Sequence, residues 1–550
     1  MRIYVFVASL LGLAACDKPA PPELPGGTLI ENVNGYSWTG DEVRTFVALN
    51  VGEDGAVVAT YSSGETLPEV ANRYDGQGAT LLPGLIDAHG HVLALGQARN
   101  RVDLVGTQSL DDALKRIVDY AGAQPQAPWI LGRGWNQVLW PDQAFPSAAD
   151  LDRLAIERPV WLRRIDGHAA WANSVAMAAA GISASTPDPH GGVIARDENG
   201  EPTGLFVDTA MELVERVIPD PTRAQIRADL QTAFAELLSL GLTSVHDAGI
   251  SLDEAAVYSE LAQQGELPLR IYAMLSESAF PEFGDPVIDD GSGHLAIRSV
   301  KAYLDGALGS RGAALKADYS DDPGNRGLLF KNIEQFDQLV SNAVGRGFQV
   351  NVHAIGDAAN HVALEVFDRH KDGRHLRHRI EHAQIIDVEE LERFAETSVI
   401  ASMQPTHATS DKNMAEDRVG PQRIAGGYAW RKLLDRGAHI AAGSDFPVEP
   451  ANPMFGLHAA VSRQDRDNQP PGGWYPQEAL TPAEALRVFT LDAAFAAHQE
   501  QQLGSLEPGK RADFILVDRD ILKGPADQIW QTKVLETWVN GRRAYQRPAP

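Results

Sequence analysis

From residue 84 to 445 the chain alternates short apolar, β-branched runs with stretches of helical periodicity, the signature of βα units wound around a parallel sheet. Eight strands are predicted: Leu85 to His89, Thr243 to Asp247, Leu269 to Leu275, Val300 to Asp305, Phe348 to Ala354, Arg379 to Gln384, Val399 to Gln404 and His439 to Asp445. Between them, Phe336, Leu339, Val340, Ala343 and Val344 share one helical face, and Gly345 and Gly347 end it. Eight βα repeats predict an α/β chain built on a TIM (β/α)8 barrel over residues 83–499.

The first two strands stand much further apart than a βα connection allows, which predicts a large insertion after strand one, over about residues 98–222. Residues 28–82 and 500–550 read instead as short strands with turns, such as Phe46 to Val51 before Glu53-Asp54-Gly55, and the two terminal segments are expected to pair. Thr481-Pro482-Ala483-Glu484 is a capping box with Pro at the first helical position, opening a helix through Leu486 and Phe489.

The N-terminus follows another pattern. Met1-Arg2, an apolar run from Ile3 to Leu13 and then Ala14-Ala15-Cys16 give the charged, apolar and small-residue order of an export signal, too short to span a bilayer. Leu13-Ala14-Ala15-Cys16 also resembles the bacterial lipobox, and Cys16 is the chain's single cysteine. We therefore expect a lipoprotein signal over residues 1–16, lipidation at Cys16, and a Pro-rich tether over residues 17–27. The product would be an exported lipoprotein on the periplasmic side of a bacterial membrane. Asp17 resembles an inner-membrane retention signal. An ordinary cleaved signal with a coincidental cysteine is the bland alternative.

Composition removes several classes of function. Hydrophobic residues are 44% and charged residues 22%, which excludes wholesale disorder, collagen and coiled coil. Lys and Arg number 48 against 74 Asp and Glu, a net charge of −26. No basic footprint for a phosphate backbone exists, and no nucleic-acid partner is expected. One cysteine permits neither an intrachain disulfide nor a cysteine-built metal site.

The candidate chemistry lies where the predicted strands end, at the barrel face on which active sites are built. His89 and His91 are two apart and project from one face. His353, His382 and Asp445 end strands five, six and eight. Each alone is ordinary. Together they bring borderline-soft nitrogen and oxygen donors to one pocket, as Zn²⁺ or a similar divalent ion requires. Lys301 lies within strand four, where burial would lower its pKa and free the amine to capture CO₂; pairing with Asp305 or another acid is the alternative. Asp87, one pleat deeper than His89, reads as an acid that orients its neighbours. Glu381 should point to the opposite face from His382, as packing or salt-bridge material.

Pro83-Gly84-Leu85-Ile86-Asp87-Ala88-His89-Gly90-His91, with the later histidines and Asp445, resembles the amidohydrolase superfamily. The tail Gly504 to Phe514 is similar to that superfamily's closing β segment, which implies a composite β-sandwich with the N-terminal strands. Asp166 to Ser174, Gly204-Leu205, Asp305 to Arg311 and Gln404-Pro405-Thr406-His407 resemble amidohydrolase family 3, the YtcJ-like group that includes N-substituted formamide deformylases.

The resemblance implies a metal-dependent hydrolase of an N-acyl or N-formyl amine or amino acid. Two Zn²⁺ ions would be held by His89, His91 and Asp445 and by His353 and His382, with a CO₂-derived carbamate on Lys301 between them. Asp445 would be the base and then the acid, working with metal-activated hydroxide. His168, Tyr303, Arg311, His407 and Trp135 are candidate substrate contacts, although packing is the commoner role for a Trp. Esters, lactones and cyclic amides suit the same chemistry, and a non-catalytic lipid-anchored binding protein is the reading from outside enzymology. The expected partners are a small amide-type molecule, the membrane through Cys16, and a second copy of the chain.

Overall fold

The computed structural model describes residues 27–40, 42–165 and 167–548. Cys16, the export signal and all of the tether but Gly27 lie outside the described residues.

Eight parallel strands form the central sheet: β1 (Leu85–Gly90), β2 (Leu242–Ile250), β3 (Arg270–Ser276), β4 (Leu295–Tyr303), β5 (Gln349–Ala354), β6 (Arg379–His382), β7 (Ile400–Met403) and β8 (Ile440–Ala442). Each pairs with its sequence neighbour, and β1 lies at one end of the ladder with β8 at the other. The ring closes just past them: the Asp445 N–H donates to the His89 carbonyl at 2.7 Å, and the His91 N–H to Phe446 at 2.8 Å. Gly90 sits where a side chain would run into the Phe446 ring, so the closure requires the glycine.

Strand β4 starts at Leu295 and stops at Tyr303, short of the expected Asp305. The Asp305 carboxylate accepts backbone N–H groups from Ala314, Ile355 and Gly356 at 2.8–2.9 Å. It organises the loops above strands four and five instead of extending the ladder or pairing with Lys301.

Between β1 and β2 the chain forms a six-stranded sheet covering Val102 to Asp208. Its core is Trp135, Trp140, Trp171, Ile117 and Leu162. Helix Arg223–Ser239, opened by a Thr222–Gln225 capping box, then returns the chain to the barrel. The terminal segments share one sheet: Thr80–Pro83 pairs antiparallel with Phe514–Val517, Leu82 opposite Ile515. That sheet folds back, since the Val57 N–H donates to the Lys510 carbonyl and the Ala512 N–H to Gly55. Ile30, Phe46, Leu49, Leu81, Phe514 and Trp538 fill its fold. The capping box at Thr481 and Glu484 opens helix Pro482–Val488, with Phe489 as its C-cap.

Candidate metal centre

Strand alternation carries Asp87 and His89 to the barrel interior from β1, Lys301 from β4, Asn351 and His353 from β5, and Arg379 and Glu381 from β6. Two residues break the alternation. His382 (φ 75°) and Asp445 (φ 62°) take left-handed backbone at the ends of their strands, which L residues adopt at a cost and which marks sites held by their surroundings. The turn at His382 brings its ring beside His89 (centroids 4.9 Å apart) and His353 (4.5 Å). Glu381 is therefore not on the opposite face from the site: it and His382 both face the interior.

Asp445 is the hub. Its Oδ1 lies 3.2 Å from His91 Nε2 and 3.6 Å from His89 Nε2, and its Oδ2 lies 3.7 Å from His407 Nε2. Lys301 Nζ lies 3.1 Å from His89 Nε2. Two triads of donor atoms crowd within 4.8 Å of one another, His89, His91 and Asp445, and His382, His407 and Asp445.

The ring nitrogens facing away from this centre are occupied. His89 Nδ1 meets the Glu381 carboxylate, His91 Nδ1 the Ala248 carbonyl at 2.9 Å, and His382 Nδ1 the Gln404 Oε1 at 2.7 Å. An acceptor at Nδ1 keeps the proton there and turns the Nε2 lone pair toward the centre, the tautomer a metal ligand needs. His407 differs: Gln384 Nε2 donates to its Nδ1 at 3.1 Å, which leaves a proton on the Nε2 that faces Asp445.

Burial and the charge of Lys301 lower His89 to about 4 and His353 to about 3, and burial with the neighbouring His353 holds His382 well below its ordinary value. All three are neutral at pH 7, with lone pairs available. Burial lowers Lys301 to about 8 in spite of Glu381 and Asp445. Burial pushes Asp445 upward, but the surrounding imidazoles, His91 first and then His89, His382 and His407, outweigh it and hold the carboxyl well below the usual range.

The donors fit a divalent cation. His353 Nε2 makes no hydrogen bond and has Asp305 Oδ1 at 3.5 Å. The residues present supply neutral imidazoles and a carboxylate, the donor chemistry of such ions.

Beneath the histidines lies a buried polar layer whose centre, Arg379, sequence reasoning missed. Arg379, with no exposed surface, donates to Glu381 Oε2 (3.1 Å), Ser402 Oγ (2.7 Å) and the Ala88 carbonyl (2.6 Å), and contacts His246 Nδ1 (2.9 Å). Burial pushes Glu381 upward, but Arg379 and then His89 outweigh it and keep it ionised. The signal was Arg379-Ile380-Glu381, two opposite charges two apart in an otherwise apolar strand. Asp87 accepts the Ser444 hydroxyl at 2.6 Å and the His89 N–H at 3.0 Å, stitching β1 to the turn after β8. Burial raises it to about 7.

Of the expected substrate contacts, two are at the centre. The Tyr303 ring lies 5.5 Å from that of His353 and is partly open to solvent, and His407 faces Asp445. Arg311 is spent on Asp321 through two hydrogen bonds of 3.0–3.1 Å. His168 is exposed on the insertion and pairs with Asp208 at 2.9 Å. Trp135 is fully buried, its indole N–H donating to the Leu162 carbonyl at 2.7 Å. As placed it is core of the insertion and presents no surface to a substrate, which corrects that expectation.

A closed parallel barrel with histidines and an aspartate converging at its C-terminal face defines a metal-dependent hydrolase fold and site. The chain belongs to the amidohydrolase family, whose model matches residues 74–545. It is 34% identical to the YtcJ protein of Bacillus subtilis (strain 168) over 478 residues, covering 86% of this chain and 90% of that one. It is 28% identical to the N-substituted formamide deformylase of Arthrobacter pascens over 511 residues, 90% of this chain and 93% of that enzyme. Among solved structures, an uncharacterized metal-dependent hydrolase from Pyrococcus horikoshii OT3 superposes with a TM-score of 0.77 at 27% identity, covering 91% of this chain and 99% of that one.

Proposed function

We propose that the chain hydrolyses an amide-type C–N bond in an N-acyl or N-formyl amine or amino acid. The observation that carries this reading is the convergence of the His89, His91 and His382 rings on Asp445, with the Nδ1 atom of each held by an acceptor on the far side. Likeness to a formamide deformylase over nine-tenths of the chain supports a C–N bond over an ester or lactone.

His89, His91 and Asp445 would hold one divalent cation and His353 and His382 a second, zinc by donor type, with a carbamate on Lys301 as a further ligand. Such ions supply Lewis acidity, polarising a scissile carbonyl and lowering the pKa of water. Asp445 takes the proton of the attacking water at Oδ2, the oxygen turned away from His91, and returns it to the leaving nitrogen. His407 offers its Nε2 proton to a substrate oxygen beside Asp445, and Tyr303 forms an aromatic wall.

A panel of N-formyl and N-acyl amines, with matched esters, tests the reading. Amide turnover that a chelator abolishes and Zn²⁺ restores supports it; turnover confined to esters would replace it with an esterase.

Lipidation at Cys16 and residence on the periplasmic side of the membrane complete the proposal, resting on Leu13-Ala14-Ala15-Cys16. Cys16→Ala should move the chain from the membrane to the soluble fraction. An unchanged distribution would remove the anchor from the account.

A further inference from the structure

A cleft of about 780 Å³ opens where one face of the insertion's sheet meets helix Arg223–Ser239, and none of the residues converging on Asp445 lines it. That volume suits a small ligand, and seams between structural units are where ligand sites form. The cleft begins at the far end of helix Val92–Arg99, whose first turn follows His91. An eight-residue helix spans about 12 Å, so a molecule here does not touch the histidines.

The walls have a definite chemistry. Trp129, Leu131 and Pro128 make one side apolar, with the buried Trp161 behind them. Arg101 is open to the cleft and donates to Gln97 Oε1 at 3.2 Å. It makes no ion pair among the described residues, whereas Arg163 beside it is taken up by Glu215 at 2.7–2.8 Å. The charge of Asp229 favours the Arg101 guanidinium without forming an ion pair with it, and Asp229 accepts from Asn100 Nδ2 at 2.7 Å. An unclaimed guanidinium fork beside aromatic surface matches one carboxylate on an apolar body. Glu215, Asp220 and Asp229 also line the cleft, so a dianion is repelled more strongly than a monoanion.

We propose that this cleft is a second ligand site, which takes a small monocarboxylate with an aromatic or branched apolar body. The carboxylate lies on the Arg101 fork and the body against Trp129 and Leu131. The site stands apart from the hydrolase reading and does not depend on it.

The test is calorimetric titration of the metal-loaded protein with 4-phenylbutyrate, indole-3-acetate and 3-methylbutanoate, with 4-phenylbutyramide as the uncharged control. Saturable binding of at least one acid at a Kd below about 1 mM is expected. The amide should bind at least about tenfold more weakly, and Arg101→Gln should weaken the acid by a similar factor. Ala228→Phe, at an exposed cleft position, should abolish binding by filling the space, and Asp445→Asn should leave it unchanged. Binding lost in Asp445→Asn but kept in Arg101→Gln and Ala228→Phe would place the acid at the histidine cluster and overturn the proposal. Absence of saturable binding by all three acids would also overturn it.

Discussion

The imidazole of His89 is held from both sides: its Nδ1 meets the Glu381 carboxylate, and Lys301 Nζ stands 3.1 Å from its Nε2. Neither partner is near His89 in the chain, and both are buried. The pairing sets which nitrogen carries the proton and aims the lone pair at the shared centre, so the behaviour of this ligand is decided one layer below it.

Glu381→Gln keeps the shape but removes the charge that holds the His89 proton on Nδ1. Metal affinity should fall about 10- to 100-fold, read by competition with a chromophoric chelator on the folded fraction, and the metal-free protein should also lose stability because the Arg379 guanidinium is left buried without its carboxylate. Unchanged affinity would reduce Glu381 to packing.

Arg379→Met leaves the Glu381 carboxylate buried without its guanidinium. A loss of about 3–5 kcal/mol in unfolding free energy is expected. The double variant Arg379→Met with Glu381→Leu should recover much of it, because no uncompensated charge remains. Urea denaturation of the three proteins measures both effects.

His378, away from the centre, accepts the Val350 N–H on Nδ1 at 3.0 Å and stacks on Phe367. Burial lowers its pKa from 6.5 to about 3. The folded state therefore binds fewer protons than the unfolded chain between these values, so its contribution is complete above pH 6.5 and is lost as pH falls toward 3, at up to about 1.4 kcal/mol per pH unit. His378→Gln should flatten the acid limb of the stability profile between pH 6 and 4. Parallel profiles for the two proteins would contradict this.

Trp135→Ala should cost about 3–5 kcal/mol of stability, with kcat/KM changed far less than in Tyr303→Ala, because Trp135 fills the insertion's core while Tyr303 stands over His353. A larger loss of kcat/KM in Trp135→Ala than in Tyr303→Ala, at equal folded fraction, would return Trp135 to the substrate side.

The barrel was legible because apolar strands separated by helical periods leave a strong pattern, and donors at the strand ends were legible because parallel strands carry them to one face. The limits came from local backbone and tertiary pairing. A regular strand sends Glu381 and His382 to opposite faces; the left-handed turn at His382, which no residue type there announces, brings both inward. Asp305 looked like the end of a strand, and its carboxylate caps loops from two segments that only the fold brings together. Trp135 could not be told from a recognition residue until the insertion's sheet closed over it.

The central claim is that His89, His91, His353, His382 and Asp445 hold a catalytic divalent cation, and metal content measured beside turnover tests it most directly. Purified mature protein, His353→Ala and Asp445→Asn are to be analysed by elemental mass spectrometry and assayed on N-formyl and N-acyl amines before and after chelation. The account predicts tightly bound metal in the parent chain and chelator-sensitive amide turnover. It predicts reduced metal in His353→Ala, and lost turnover with at least part of the metal retained in Asp445→Asn. A parent protein that is metal-free, takes up no Zn²⁺ on reconstitution and still turns over amides at the same rate as Asp445→Asn would contradict it.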